Sequence, residues 1–382
     1  MPEVTSFPDL VGGATTTHHI RLIICRRGWS TTGGAERFLL RFSDGLLKAN
    51  LSSQLVVDSR CPMKWLHGQP IERIDSTDPE VFASEAIKIK VRETGAILFS
   101  MERLPGADIF RAGDGIHSAW LDRLAAEDGR VRNWFRRCRK KHRQLLQLEH
   151  RLFQDRTLRV IANSRMVANE LMAIHGFPNE RIAVIPNGYD PIFTDEETIK
   201  EKRGALRSQL GIPDHAVVFL FVGSGWKRKG TQFLVDSFRA LNDANTWLIL
   251  VGKGHVARAA HPRIHLAGPI ADPTDWFFAA DVFALPTLYD PFSNACLEAA
   301  CHGLPVITTD ANGFKEVLEQ FPQAGQVGPT PRSVADWGEA LRHWLNPALR
   351  EGATPSLQAI RDHFTMKRNV EATVDFVRRS FY

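Results

Sequence analysis

The chain has 382 residues, 43% of them hydrophobic and 24% charged, with a formal net charge of +5. At ~150 residues per domain this length fits two to three domains with sizeable cores, and the composition is that of a folded globular protein rather than a disordered or fibrous one. No run approaches the ~18 to 20 consecutive apolar residues of a spanning helix. Residues 1–17 lack the basic start and apolar core of a secretory leader. The five cysteines show no C-x-x-C spacing, which fits reduced thiols better than a disulfide frame or a zinc site, so a cytoplasmic protein is expected.

In chain order, residues 20–25 form an apolar run suited to a buried parallel strand. A Gly/Ser/Thr loop over 28–34 follows, then a helical pattern from Ala35 through Phe42. Residues 54–57, 96–99 and 159–162 are further strands, each separated by enough chain for a crossover helix, which predicts a parallel sheet. Residues 182–190 end an apolar run in turn chemistry, and Pro186 and Gly188 mark an interdomain hinge. A second series of strands begins at 216–222 and continues at 247–251 and 282–285. The expected class is therefore α/β, with two Rossmann-like units. The chain shows no internal repeat of 20–50 residues and no low-complexity segment.

Two motifs carry chemistry. Asp290 and Glu298 stand eight positions apart. Pro291 fixes φ and cannot continue a strand, so Asp290 lies at a strand end or in a loop. Ser293 or Asn294 can cap the helix that carries Leu297 and Glu298, and Gly303 ends it. The free N–H groups at such a helix start carry about half a positive charge and suit a phosphate or sugar oxygen. Upstream, Gly223-Ser224 is followed by Lys227, Arg228, Lys229 and Gly230, fixed cations of a kind that can stabilise developing negative charge. Taken singly, the first motif is also readable as a surface acid plus a helix-face acid, and the second as a solvated basic turn.

The stretch Asp290-Pro291-Phe292-Ser293 through Glu298, with Gly303-Leu304-Pro305-Val306 downstream, resembles the carboxyl-terminal signature of retaining glycosyltransferases of family 4, which have the GT-B fold. Two departures stand out: the first acid is shortened to Asp290, and the family's usual Gly is Ser293. Residues 184–190 look like the family's Pro-Asn-Gly linker, and residues 222–230 like its phosphate loop. Many members place Arg after the first Gly, where this chain has Ser224. The run Arg228-Lys229-Gly230 is similar to the branch of glucosyltransferases acting on the lipopolysaccharide core. Gly33-Gly34-Ala35-Glu36-Arg37 resembles the family's Gly-Gly motif, and residues 107–117 resemble the segment that brings an Asp to the cleft.

The resemblance implies two Rossmann-like domains whose parallel sheets face a deep cleft. Residues 1–188 would bind acceptor, residues 189–365 the nucleotide sugar, and residues 366–382 would form a helix crossing back to the first domain. It implies that Asp290, Phe292, Ser293, Asn294 and Ala295 face the donor sugar, and that Glu298 takes the ribose hydroxyls. Arg228 and Lys229 would neutralise the diphosphate, with Ser224 and Gly34 beside the donor. Asp114 would be acceptor ligand or base, with His117 as the other acceptor-side candidate; Asp114, Asp290 and Lys229 are the catalytic candidates. The expected reaction is retaining transfer of a hexose from a UDP-sugar, UDP-glucose or similar, to a glycolipid or saccharide acceptor of the lipopolysaccharide core or another cell-surface polysaccharide. No metal and no cofactor beyond the nucleotide sugar are expected.

Residues 130–143 hold eight Lys or Arg and no acid, interleaved with Val131, Trp134, Phe135 and Cys138. Trp134, Cys138 and Leu145 or Leu146 fall near one helical face, the composition of an interfacial helix that meets anionic lipid. The expectation is peripheral attachment to the inner face of the cytoplasmic membrane; the alternative is a solvated face with Trp134 packed inward. A nucleic-acid role is disfavoured because only three Tyr are present and Phe lies mostly in apolar runs. A nicotinamide dehydrogenase is disfavoured by the lack of G-x-G-x-x-G. A UDP-sugar epimerase sharing the GT-B fold is the nearer alternative, against which the Pro-Phe-x-x-x-x-Leu-Glu loop stands.

Overall fold

A computed structural model describes residues 20–30, 33–67, 69–192, 194–257, 259–328 and 333–382. The first half forms a seven-stranded parallel sheet from β1 (Arg21–Arg26), β2 (Ser52–Asp58), β3 (Glu72–Ile74), β4 (Ile97–Ser100), β5 (Ile109–Arg111), β6 (Arg159–Ala162) and β7 (Ile182–Val184), in the order β3-β2-β1-β4-β5-β6-β7. Strands buried on both faces need near-continuous apolar runs, and β4, with four buried residues in four, is one. The short strands β3 and β5 escape the sequence pattern because three residues carry no measurable periodicity, whereas β7 falls in the apolar run at 182–190.

The second half forms a six-stranded parallel sheet from β8 (Val217–Val222), β9 (Thr246–Val251), β10 (Ile264–Gly268), β11 (Val282–Leu285), β12 (Val306–Thr309) and β13 (Gly325–Gly328), ordered β10-β9-β8-β11-β12-β13. In both sheets the strand order reverses beside the first strand, which leaves crevices at the carboxyl ends of the strands where ligands bind in such folds.

Two segments tie the halves together. Helix α1 (Gly34–Lys48) buries Phe38, Leu39, Phe42 and Leu46 in the first sheet's core. The final helix, Met366–Phe381, adds Met366, Val370, Val374 and Val377 to that same cluster. Where the linker and the final crossing meet, Tyr189 N–H donates to the Phe364 carbonyl at 2.8 Å and Asn369 Nδ2 to the Pro186 carbonyl at 2.6 Å.

The basic segment is not one helix, which corrects the single interfacial face expected from the sequence. After α2 (His117–Asp128), helix α3 (Arg130–Cys138) stops at Arg139, whose extended backbone (φ −64°, ψ 137°) separates it from α4 (Lys140–Phe153). Like charges that a continuous helix would place four residues apart across the break, such as Arg136 with Lys140, Arg137 with Lys141 and Arg139 with Arg143, oppose it. Trp134 therefore shares no unbroken face with Leu145. Nor does it pack inward: Val131, Trp134 and Phe135 are 71%, 61% and 62% exposed.

Candidate active site

The phosphate-loop candidate occupies the turn between β8 and α6 (Thr231–Leu241). Lys229 is buried there and its aliphatic stem passes over Gly223, where a Cβ would come within 2.7 Å of the Lys229 chain. Glycine at 223 thus admits the lysine. Lys229 Nζ donates to Asp290 Oδ2 at 3.3 Å, and Arg228 Nη1 lies 3.5 Å from the same oxygen while donating to the Tyr289 carbonyl at 2.6 Å. Ser224 is exposed, and its hydroxyl accepts from the Lys253 N–H at 3.3 Å, tying the turn to the loop after β9.

Asp290 sits in the loop after β11 and is buried. Burial alone would raise its pKa, but Lys229, Arg228 and the Ser293 N–H, which donates to Oδ1 at 2.8 Å, hold it below the usual carboxylate range. Phe292 is packed in the core against Phe314 and Phe364. Ser293 caps α7 (Asn294–Cys301) by accepting from the Cys296 N–H at 3.3 Å, and does so at φ +63°, ψ 93°. At that backbone a side chain is strained, whereas the Gly that the resemblance leads one to expect would adopt it freely. Asn294 and the buried Ala295 follow at the helix start. Asn294 Nδ2 donates to the Gly34 carbonyl at 3.0 Å, and its Oδ1 accepts from Asn187 in the linker.

Glu298, 2% exposed on α7, is met by two arginines of α1. Arg41 Nη1 donates to Oε1 at 3.0 Å and Arg37 Nη2 to Oε2 at 3.2 Å; the Arg41 guanidinium also lies 4.4 Å above the Tyr189 ring.

On the opposite wall, the buried Arg26 binds three carboxylates: Glu36 and Glu102 at 3.1 Å and Asp114 at 3.2 Å. Asp114 is half-exposed. Burial pushes its pKa up, yet Arg26, Arg103 and, from the other half of the molecule, Arg228 bring it below the usual range. His117 meets a second histidine. Its Nε2 lies 3.0 Å from His142 Nδ1 on α4 with the rings stacked, and burial with neighbouring Arg103 pushes its pKa down to about 4.

Tyr289 had no signal of its own in the sequence because it reads as one more apolar residue before Asp290. It reaches from the second half into the first-half cluster of Phe110, Ile116 and Leu152. Its hydroxyl accepts from the Ile116 N–H at 3.0 Å and donates to Glu170 Oε2 at 2.7 Å, on α5 (Arg165–His175). A Cβ on residue 115 would lie 2.3 Å from that hydroxyl, so only Gly115 lets the Asp114 loop sit against it. Two further contacts hold the halves together. Glu316 caps α5 by accepting from the Arg165 and Met166 N–H groups at 2.8 and 2.7 Å, and Ser164 Oγ donates to the Pro291 carbonyl at 2.7 Å.

Residues 32–193 match the family model Glycosyltransferase Family 4, and residues 216–346 match Glycosyl transferases group 1. The chain belongs to glycosyltransferase family 4. An uncharacterized family relative, a glycosyltransferase of Methanocaldococcus jannaschii, is 28% identical over 200 residues, 48% of this chain and 51% of that protein. The lipopolysaccharide glucosyltransferase WaaG of Escherichia coli K12 is 25% identical over 256 residues, 64% of this chain and 66% of WaaG. These matches span about half to two thirds of the length of the curated relatives. The crystal structure of WaaG superposes with a TM-score of 0.76 at 19% identity, covering 93% of this chain and 99% of that one. Anabaena HepE in complex with UDP and glucose gives 0.71 at 17%, covering 94% and 100%. The architecture is GT-B.

Proposed function

We propose that this family 4 glycosyltransferase transfers a hexose from a UDP-sugar, with retention of configuration, to a saccharide or glycolipid acceptor of a cell-surface polysaccharide such as the lipopolysaccharide core. The observation that carries the reading is one cleft wall holding Arg228, Lys229, Asp290 and the start of α7 together, with Asp114 within electrostatic reach of Arg228. Two fixed cations and helix N–H groups suit a diphosphate that gains charge as it leaves. The UDP and glucose bound by HepE, a protein of the same fold, support uridine as the nucleoside.

In this mechanism the donor diphosphate takes over Arg228 and Lys229 from Asp290, whose ionised carboxylate keeps both cations in place beforehand and then orients the sugar. Glu298 receives the ribose hydroxyls. Asp114 is held ionised by Arg26, which makes it a weak base. It therefore serves as hydrogen-bond acceptor for the incoming hydroxyl, whose proton passes to the departing phosphate on the same face of the sugar. Side-chain cations, rather than a metal, carry the leaving-group charge. Closure about residues 187–190 excludes water and favours transfer over hydrolysis.

The exposed Val131, Trp134 and Phe135 among the arginines of α3 support attachment to the anionic inner leaflet. Calorimetric titration of UDP in EDTA, with GDP and ADP as comparisons, tests the donor reading. Micromolar UDP binding that Glu298→Ala weakens at least tenfold is the expected result, and no nucleotide binding overturns it. UDP release that requires an acceptor separates transfer from epimerisation. Equal sedimentation with neutral and anionic vesicles would remove the membrane assignment.

A further inference from the structure

Three arginines among the described residues are less than a tenth exposed: Arg26, Arg111 and Arg207. Arg26 has three carboxylates within 3.2 Å, and Arg207 has Asp281 at 2.6 Å. Arg111, only 3% exposed, has no carboxylate within ion-pair distance among the described residues. Its Nη2 donates to the neutral Asn187 Oδ1 at 2.6 Å, and its guanidinium lies 3.9 Å over the Phe38 ring. A buried cation without a counter-ion is costly, and such groups are normally paired. Burial lowers the Arg111 pKa to about 9, with Asp114 alone opposing the shift, so the group remains charged at neutral pH.

The location gives the missing charge a source. Arg111 ends β5 three residues before Asp114, and Phe38 lies in the first turns of α1. Asn187, which holds Arg111, also donates to Asn294, and Asn294 donates to the Gly34 carbonyl. The guanidinium thus stands where the starts of α1 and α7 meet the linker. Residue 113 is glycine, and a Cβ there would come within 2.9 Å of Arg111 Nη1, so the absence of a side chain leaves that nitrogen uncovered.

We propose that Arg111 is an oxyanion-binding residue of the cleft, facing the Arg228–Lys229 pair across the donor, and that the nucleotide sugar supplies its counter-charge. The oxyanion is either a diphosphate oxygen or a carboxylate on the transferred sugar. The inference rests on the nucleotide-sugar reading above.

The test titrates UDP, UDP-glucose, UDP-glucuronate and inorganic pyrophosphate into the wild-type enzyme and three variants, with melting temperature followed in parallel. Arg111→Met keeps the packing on Phe38 without the charge, Arg111→Gln keeps polarity, and Gly113→Ala crowds Nη1 while leaving the arginine in place. We expect folded Arg111→Met to bind at least tenfold more weakly and Gly113→Ala several-fold more weakly. Losses for UDP and pyrophosphate assign the diphosphate; a loss confined to UDP-glucuronate assigns a sugar carboxylate. If Arg111→Met does not fold, Arg111→Gln and Gly113→Ala carry the same comparison. Wild-type affinity for every probe in the folded variants, while Glu298→Ala weakens UDP binding at least tenfold, overturns this inference alone. A wild-type enzyme that binds none of the probes overturns it together with the nucleotide-sugar reading.

Discussion

Glu298 carries two arginines from across the cleft, so a ribose that claims its carboxylate must displace or share them. Arg41 is about a third exposed on its side chain and Arg37 a fifth, whereas Glu298 is almost fully buried. A hydrogen bond to a charged group contributes ~1.5–3 kcal/mol, but a partly exposed arginine recovers hydration when released, which brings the Arg41 contact to ~1 kcal/mol. Removing Arg41 leaves Glu298 Oε1 free for the ribose, so Arg41→Met should tighten UDP binding about fivefold, since ~1.4 kcal/mol is tenfold. Glu298→Ala should weaken binding by ~1.5–3 kcal/mol, and on that background Arg41→Met should change nothing. The assay is calorimetric titration of the two single variants and the double variant, closed as a thermodynamic cycle. A tenfold loss of UDP affinity in Arg41→Met alone would show that Arg41 contacts the nucleotide directly, and the competition argument would fall.

Ser293→Gly exchanges a strained positive φ for a residue that adopts it freely, at the loss of a cap that Gly replaces for a few tenths of a kcal/mol. The expected outcome is a stabilisation of ~0.5–1 kcal/mol in urea unfolding, and Ser293→Val should be strongly destabilising. Tyr289→Phe removes the hydroxyl that braces the Asp114 loop, so turnover should fall at least tenfold while UDP affinity stays within twofold; equal losses in both would contradict a positioning role. His117 has a folded pKa of about 4 against ~6.5 unfolded. The unfolded chain therefore binds the extra proton first, and stability present above pH ~6.5 is lost as pH falls toward 4, at most ~3 kcal/mol over that window. Urea midpoints at pH 7.5 and 5.0 should differ less in His117→Gln than in the wild type; parallel profiles would refute it.

The strands β1, β8, β9 and β11 were legible because continuous apolar runs bounded by turn residues leave few other readings. The acid pair on its loop and helix was legible because Pro291, Ser293 and Gly303 punctuate the backbone locally. The break at Arg139 was not, since repulsion between like charges competes with helix propensity and only the balance decides. The Arg37 and Arg41 contacts with Glu298 span more than 250 residues, beyond any local pattern. Arg111 reads in sequence as one more cation among 48 Lys and Arg.

By itself, then, the sequence determined what local physics encodes: which segments become buried parallel strands, where glycine and proline turn the chain, and which residue types stand ready at the two loop-to-helix turns. Tertiary structure alone decided which charges meet. Whether an arginine is paired, as Arg26 is with three acids, or lacks a counter-ion among the described residues, as Arg111 does, depends on distances set by two sheets packing across a cleft. Coulomb energy and desolvation change steeply over those few ångströms, whereas spacing along the chain leaves them unspecified.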